Sequence, residues 1–216
     1  STAWYRAVLT CGSSTAESAP VEVTVLNGLS GTYTINSALP NGGGNFQSFA
    51  DAIAALNCGV VGPVVFNVEP GSVFTGPITI PEISGASSTN TIRFLGNGAT
   101  LQVTPTSADR HAIRLDGADY VTIDSFNIST IGATYGWGIH FANGANYDSV
   151  RACTIDLMNV TSTNSDYSAG IISTNSSTDA QGAGDASNLV IINNIIKGGY
   201  QGVILNGSTG ATLGVN

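Results

Sequence analysis

The side chains able to do chemistry are sparse. The chain has 216 residues but only 6 Lys+Arg, 14 Asp+Glu and 2 His. Arg114 and His140 hold the third place of two matching apolar runs, Ala112-Ile113-Arg114-Leu115 and Gly138-Ile139-His140-Phe141. If those runs stack as adjacent strands, the guanidinium and the imidazole become outward neighbours, with Asp109, His111 and Asp116 close in sequence. Such a group could form a glycan-binding or cleavage site. It could equally be a surface cation beside a carboxylate, which contributes little. Asp116 and Asp119 flank one turn, and Asp179 and Asp185 share a Ser/Thr/Asn-rich stretch. Either pair could take calcium, but neither has the dense ligand spacing of a calcium loop, and turn aspartates more often bond their own backbone. Tyr135, Trp137 and Tyr147 could form an exposed aromatic patch that stacks on a sugar ring or a neighbouring chain, or they could pack under a loop. Cys11, Cys58 and Cys153 match no metal spacing. Cys153 reads as a buried apolar side chain, whereas Cys11 and Cys58 could pair with each other or elsewhere. No Ser/His/Asp order and no phosphate-cradling loop stands out, so no catalytic residue is assigned and no cofactor is expected apart from calcium. Four Asn-x-Ser/Thr sequons, at Asn127, Asn159, Asn175 and Asn206, are what so Asn- and Thr-rich a chain produces by composition.

Positioning of these residues depends on a repeat. The runs at Ile113 and Ile139 recur as Gly170-Ile171-Ile172-Ser173 and Gly202-Val203-Ile204-Leu205, at spacings of 26, 32 and 32 residues. Within each period a second run follows (Tyr120–Ile123, Tyr147–Val150, Leu189–Ile192) and then a third (Phe126–Ile128, Cys153–Ile155, Ile195-Ile196). Three short strands per period, separated by Asn, Gly, Asp and Ser, describe one coil of a parallel β-helix. One coil cannot bury its own apolar face, and stacking the next at about 4.8 Å closes the core. Alternation then points Ile113, Ile139, Ile171 and Val203 inward as one column and Leu115, Phe141 and Leu205 as another, leaving Arg114 and His140 outside. The insertion from Ser173 to Asn188 reads as a protruding surface loop. An antiparallel sandwich also has many short strands, but it gives no reason for a repeating Gly/Ala-Ile register.

Composition narrows the function classes. Charged residues are 9% and hydrophobic residues 42%, with a net charge of −8 and one lysine, Lys197. Surface polarity must therefore come from Asn, Ser, Thr and Gly. Nucleic acid is excluded as a partner because its binding rests on cationic contacts to phosphate. Without a run of about 18 apolar residues no spanning helix is expected, hence no membrane insertion. Both ends look cut, so the chain is expected to be an internal segment continuing beyond residue 216, its last run stopping at Val215-Asn216 inside the repeat.

Residues 1–27 differ from the rest. Trp4–Cys11 and Val21–Val25 read as two alternating strands of an antiparallel hairpin around a Gly12-Ser13 turn, and a lone hairpin is marginal in water. Asn27–Gly31 is the expected boundary, dividing the chain into residues 1–29 and 30–216. A helix over about 45–57 is predicted from the stripe Phe46, Phe49, Ile53 and Leu56, with Asn45 as N-cap and Gly59 closing it. Its expected role is to cover the open end of the solenoid. Val64–Val68, Ile78–Ile80, Ile92–Leu95 and Leu101–Val103 are the first coils, with prolines 63, 70, 77, 81 and 105 at turns.

The Tyr-Arg-Ala-Val-Leu-Thr-Cys strand, the Gly-Ser turn and the Val-x-Val-x-Val strand resemble the last two strands of an immunoglobulin-like domain. The Phe-x-x-Phe-x-x-Ala-Ile helix, Gly-Pro-Val-Val-Phe-Asn-Val, Asn-Thr-Ile-x-Phe and the Gly-Ile coils look like the right-handed β-helices of the pectate-lyase-like superfamily. Together they resemble large type IX-secreted surface adhesins of gliding Bacteroidota. The resemblance implies an all-β chain, a right-handed parallel β-helix with an N-terminal capping helix behind the end of an Ig-like sandwich. Enzymes of that fold work on the outer face of one strand column, but the Asn-x-Asp, Asp-Asp, Gly-His-Gly and Arg-x-Lys signatures of its hydrolases are not expected in a working arrangement here. The outward column reads Arg114, His140, Ile172, Ile204. The expectation is a non-enzymatic segment of an extracellular, cell-surface fibre or stalk, with self-association or binding to surface glycans or other cells. The alternatives are a non-catalytic part of a polysaccharide lyase or hydrolase whose active site lies downstream, and a glycan-binding module.

Overall fold

The computed structural model describes residues 2–24 and 28–208. The chain is nearly all β and forms a parallel β-solenoid of about six turns. Before it come β1 (Thr2–Tyr5), β2 (Val8–Cys11), β3 (Ser14–Glu17) and β4 (Val21–Thr24). β5 (Leu29–Ile35), β6 (Asn45–Phe46) and α1 (Phe49–Leu56) lead into five coils of three strands. These are β7 (Val60–Val68), β8 (Val73–Thr75) and β9 (Ile78–Pro81); β10 (Ile92–Leu95), β11 (Thr100–Val103) and β12 (His111–Asp116); β13 (Val121–Asp124), β14 (Asn127–Thr130) and β15 (Gly136–Ala142); β16 (Ser149–Arg151), β17 (Thr154–Leu157) and β18 (Ser168–Ser173); and β19 (Val190–Ile192), β20 (Ile195–Gly198) and β21 (Gln201–Leu205). Like strands of successive coils pair in parallel, giving sheets of seven, five and five strands, with β5 and β6 extending the first sheet.

Alternation and register build the core. Ile78, Ile113, Ile139, Ile171 and Val203 are successive partners, and Ile80, Leu115, Phe141, Ser173 and Leu205 form the column beside them. The first sheet contributes Phe66, Phe94, Ile123, Val150 and Ile191, and the second Phe74, Leu101, Ile128, Ile155 and Ile196. The Phe66 and Phe94 rings stack at 4.8 Å, one strand spacing. Ser173 fills a column otherwise apolar, and its buried hydroxyl has no hydrogen-bonding partner among the described residues.

The Gly/Ala before each Ile has a steric cause. Ala112, Ile113 and Leu115 all belong to the inner core, whereas Trp137 and Ala169 belong to an outer cluster with Ile172. Two neighbouring residues therefore turn inward at this corner, and only a small one fits first. A Cβ on Gly138 would lie 2.5 Å from Ile155 Cγ2, and one on Gly170 would lie 2.6 Å from both Gly202 O and Ile196 Cγ2.

Several expectations are corrected. The helix begins at Phe49 because Ser48 caps it, its side chain accepting from Asp51 N at 3.1 Å. Asn45 and Phe46 instead pair with β5, and buried Asn45 donates through Nδ2 to the carbonyls of Asn36, Leu39 and Pro40. Gly59 does close the helix, in the left-handed region, with Phe49, Ala52 and Leu56 buried. Pro63 lies inside β7, where the β5 pairing shifts register, and such a bulge tolerates the missing N–H. Tyr120 and Tyr147 do not begin strands. Both have φ of 58° and form the corner before the first sheet, a position held by Asn188 in the next coil. The Ser173–Asn188 insertion does not protrude, since Ala180 within it is fully buried against Trp137, Ala169 and Ile172.

The hairpin is as expected in outline, but two pairs of strands replace two long ones. β1 pairs with β4 and β2 with β3, both antiparallel, interrupted at Arg6-Ala7 and Ser18–Pro20. Trp4, Tyr5, Val8, Leu9 and Val21 remain exposed. Val25 and Asn27 of the expected strand and boundary lie outside the described residues, as does Val215-Asn216, and Leu29 already belongs to β5. No helix among the described residues is long and apolar enough to cross a membrane.

Gly138→Ala should lower the unfolding free energy by about 1–3 kcal/mol, the usual cost of overpacking, in urea denaturation. Gly12→Ala, where nothing lies within 4 Å of the added Cβ but φ is positive, should cost only about 1 kcal/mol.

Candidate functional site

The outer face of the third sheet collects the titratable residues. Along it Thr79, Arg114, His140 and Ile172 are register partners, so Arg114 and His140 are indeed neighbours on adjacent coils. They are not presented to solvent as expected. His140 is fully buried and His111 nearly so, because the segment after β18 folds over them. His140 Nε2 donates to Thr174 O at 2.7 Å. Arg114 donates to Asp116 Oδ1 at 3.1 Å, and His111 Nε2 is 3.2 Å from Thr79 Oγ1. Burial and the Arg114 charge hold the His140 imidazole down at about 4, although its bond to Thr174 opposes this. His111 is also lowered, first by burial and then by Arg114. Both rings are thus neutral at neutral pH.

Beside them lies a cluster that the sequence did not reveal, centred on Arg110. Its guanidinium carbon is 5.0 Å from the Tyr135 ring centroid, 4.8 Å from Tyr167 and 5.6 Å from Trp137. It donates to Asp166 O at 2.7 Å and to Thr178 O. Trp137 Nε1 donates to the same Asp166 carbonyl at 3.0 Å, and Ala180 N donates to Asp166 Oδ1 at 3.2 Å. Arg110 therefore ties β12 to the insertions before and after β18, with cation–π contacts in a largely water-free setting. Contrary to expectation the Asn-x-Asp spacing does occur, at Asn146-Tyr147-Asp148 and Asn164-Ser165-Asp166; in the second, Asn164 Oδ1 accepts from Asp166 N at 2.9 Å, so both residues serve the loop. The aromatic trio is split: Trp137 is fully buried, Tyr135 packs on Tyr167, and Tyr147 stacks at 4.9 Å on Tyr120 at another corner.

The aspartates bond turns. Asp116 Oδ1 also accepts from Asn143 Nδ2 at 2.6 Å, and Asp119 Oδ1 from Asn146 N at 2.8 Å. Asp179 Oδ1 accepts from Gln181 N at 2.8 Å, whereas Asp185 Oδ1 reaches Gly144 N at 2.7 Å. Among the described residues no group of three or more His, Cys, Asp or Glu side chains is placed to hold a metal ion. Cys153 is buried, and burial raises its thiol to about 11. Cys11 and Cys58 are exposed and not bonded to each other.

Asp148 is the least expected of the titratable groups. It is fully buried between Tyr147 and β16, with Oδ1 accepting from Val121 N at 2.7 Å and Oδ2 unpartnered. Burial, reinforced by Asp119, pushes its carboxyl up to about 8 against the Val121 bond.

No protein-family model matches this chain, and no curated protein or solved structure matches it either.

Two opposite pH dependences follow. The folded protein holds the Asp148 proton to about 8 while the unfolded chain releases it near 3.8, so stability should fall as pH rises between those values. Asp148→Asn keeps the acceptor for Val121 N–H and should remove that decline, which can reach ~1.4 kcal/mol per pH unit. His140, facing Arg114, His111 and Asp116, acts in the other direction, with stability falling as pH drops from 6.5 to about 4. Urea denaturation of both proteins across this range checks the signs. An identical pH slope in Asp148→Asn would contradict the assignment.

Proposed function

We propose that this chain is a segment of a long extracellular, cell-surface protein whose role is mechanical and adhesive rather than catalytic. In this reading the solenoid is a right-handed β-helix acting as a stiff rod, the handedness being that favoured for parallel crossovers. α1 is its cap: Phe49 packs on Phe74, Phe94 and Phe126 at the start of the bore. The hairpin of residues 2–24 is the end of an immunoglobulin-like domain whose remaining strands would cover Trp4, Tyr5 and Leu9, exposed at 63%, 61% and 73%. The architecture resembles type IX-secreted adhesins of gliding Bacteroidota, with self-association into a fibre or contact with surface glycans and other cells as its working interactions.

The observation that carries the proposal is the in-register column of Ile78, Ile113, Ile139, Ile171 and Val203, one residue per coil. A column repeated without interruption makes a rod. The outer column that would line a cleft in an enzyme is instead closed over by Thr174 and Ala180. Exposed Tyr147, stacked on Tyr120, offers an aromatic surface for weak multivalent contact.

Electron microscopy of native material released from the cell surface, with its denatured mass on a gel, tests this. Fibres or stalks from a chain far larger than 21.9 kDa are expected. A compact soluble particle that cleaves polysaccharide would contradict it.

A further inference from the structure

Three buried polar atoms of the outer face of the third sheet have no hydrogen-bonding partner among the described residues: Arg114 Nε, His111 Nδ1 and His140 Nδ1. Arg114 and His140 are register partners on β12 and β15, and the two imidazole centroids are 6.1 Å apart. The far side of each group is already engaged, by Asp116, Thr79 and Thr174 respectively. The roles of two of the remaining atoms are fixed. A carbonyl only accepts, so His140 Nε2 carries the proton and its Nδ1 offers a lone pair. Arg114 Nε carries a hydrogen and can only donate. His111 Nε2 faces the Thr79 hydroxyl, which both donates and accepts, so His111 Nδ1 can take either role.

A fixed donor beside a fixed lone pair, with an imidazole of either tautomer as third partner, selects the class of ligand. A metal ion would sit against the guanidinium, and an anion against the His140 lone pair. The aromatic and aliphatic neighbours Trp137 and Ile172 supply no polar atom that could replace either. What fits is a small neutral group that both accepts and donates. We propose that a single internal water is bound here, accepting from Arg114 Nε–H, donating to His140 Nδ1 and bonding His111 Nδ1 as its third partner. Three hydrogen bonds is the usual number for a buried water. The site joins β12 to β15 beneath the Thr174 carbonyl, so the water orients the imidazole that latches the segment over the outer face.

Oxygen-17 relaxation dispersion on the whole chain counts long-lived internal waters and provides the test. Arg114→Met and His111→Phe should each lose one relative to the wild type, and Arg93→Met, on another sheet, should lose none. Nitrogen-15 spectra of the wild-type histidines supply a reading that does not depend on variants folding. They should show His140 as the neutral Nε2–H form with Nδ1 accepting a hydrogen bond. A high-resolution crystal structure should place one water within reach of all three atoms. Unchanged counts in both variants, an Nδ1–H form of His140, or direct bonds among the three side chains would overturn the proposal.

Discussion

The constraint on which the rest depends is the parallel hydrogen-bond ladder between coils. It fixes the rise at one strand spacing, so every inward position must meet a compatible residue directly above and below it. The isoleucine column obeys this, and so do the stacked Phe66 and Phe94 rings. The ladder also has weak points at the corners, where backbone groups leave the strands. Polar side chains repair them from the neighbouring coil. Asn146 N bonds Asp119 Oδ1, and Ser187 N bonds Asn146 Oδ1 at 2.9 Å, a small ladder of its own. Asn97, Asn127, Asn159 and Asn194 each donate through Nδ2 to a carbonyl of the preceding coil. The Asn-rich composition is therefore largely a requirement of stacking, not only of surface polarity.

Closure of one outer face is a second layer built on the first. Because the coils stack in register, outward residues also form columns, and those of the third sheet become apolar at Ile172. The insertions before and after β18 cover this strip, held by Arg110 through two carbonyls and by His140 through a third. Charge scarcity has a use here. An arginine buried among aromatic rings, with carbonyls as acceptors, requires no carboxylate partner inside the fold.

Much of the fold was legible in the sequence because the repeat writes each inward column several times over. The residues that carry the periodicity, from Ile113 to Val203, were assigned to the right face by alternation alone. The failures have a common cause: they involve contacts between segments distant in sequence. Asn45 looks like an N-cap until β5 claims it, while Ser48, three residues before Asp51, carried the true capping signal. The loop after Ser173 looks exposed because its composition is polar, although the buried Ala180 is a single small residue that no periodicity marks. Arg110 precedes the repeat and has no counterpart in other coils, so its pairing with Tyr135 and Tyr167 could not be read from spacing. Asp148 sits where neighbouring coils place Val121 and Leu189, an anomaly in the column that signalled a buried carboxyl without saying how it would be satisfied.

Residue-resolved amide hydrogen exchange measures the stacking itself. If each coil is held by its neighbours, protection should be greatest in β12, β15 and β18, lower in β21, where Val203 and Leu205 are half exposed, and lowest in the hairpin of β1–β4. Equal protection along the whole chain, or a hairpin as protected as β15, would contradict an account in which coil-to-coil pairing is the source of order.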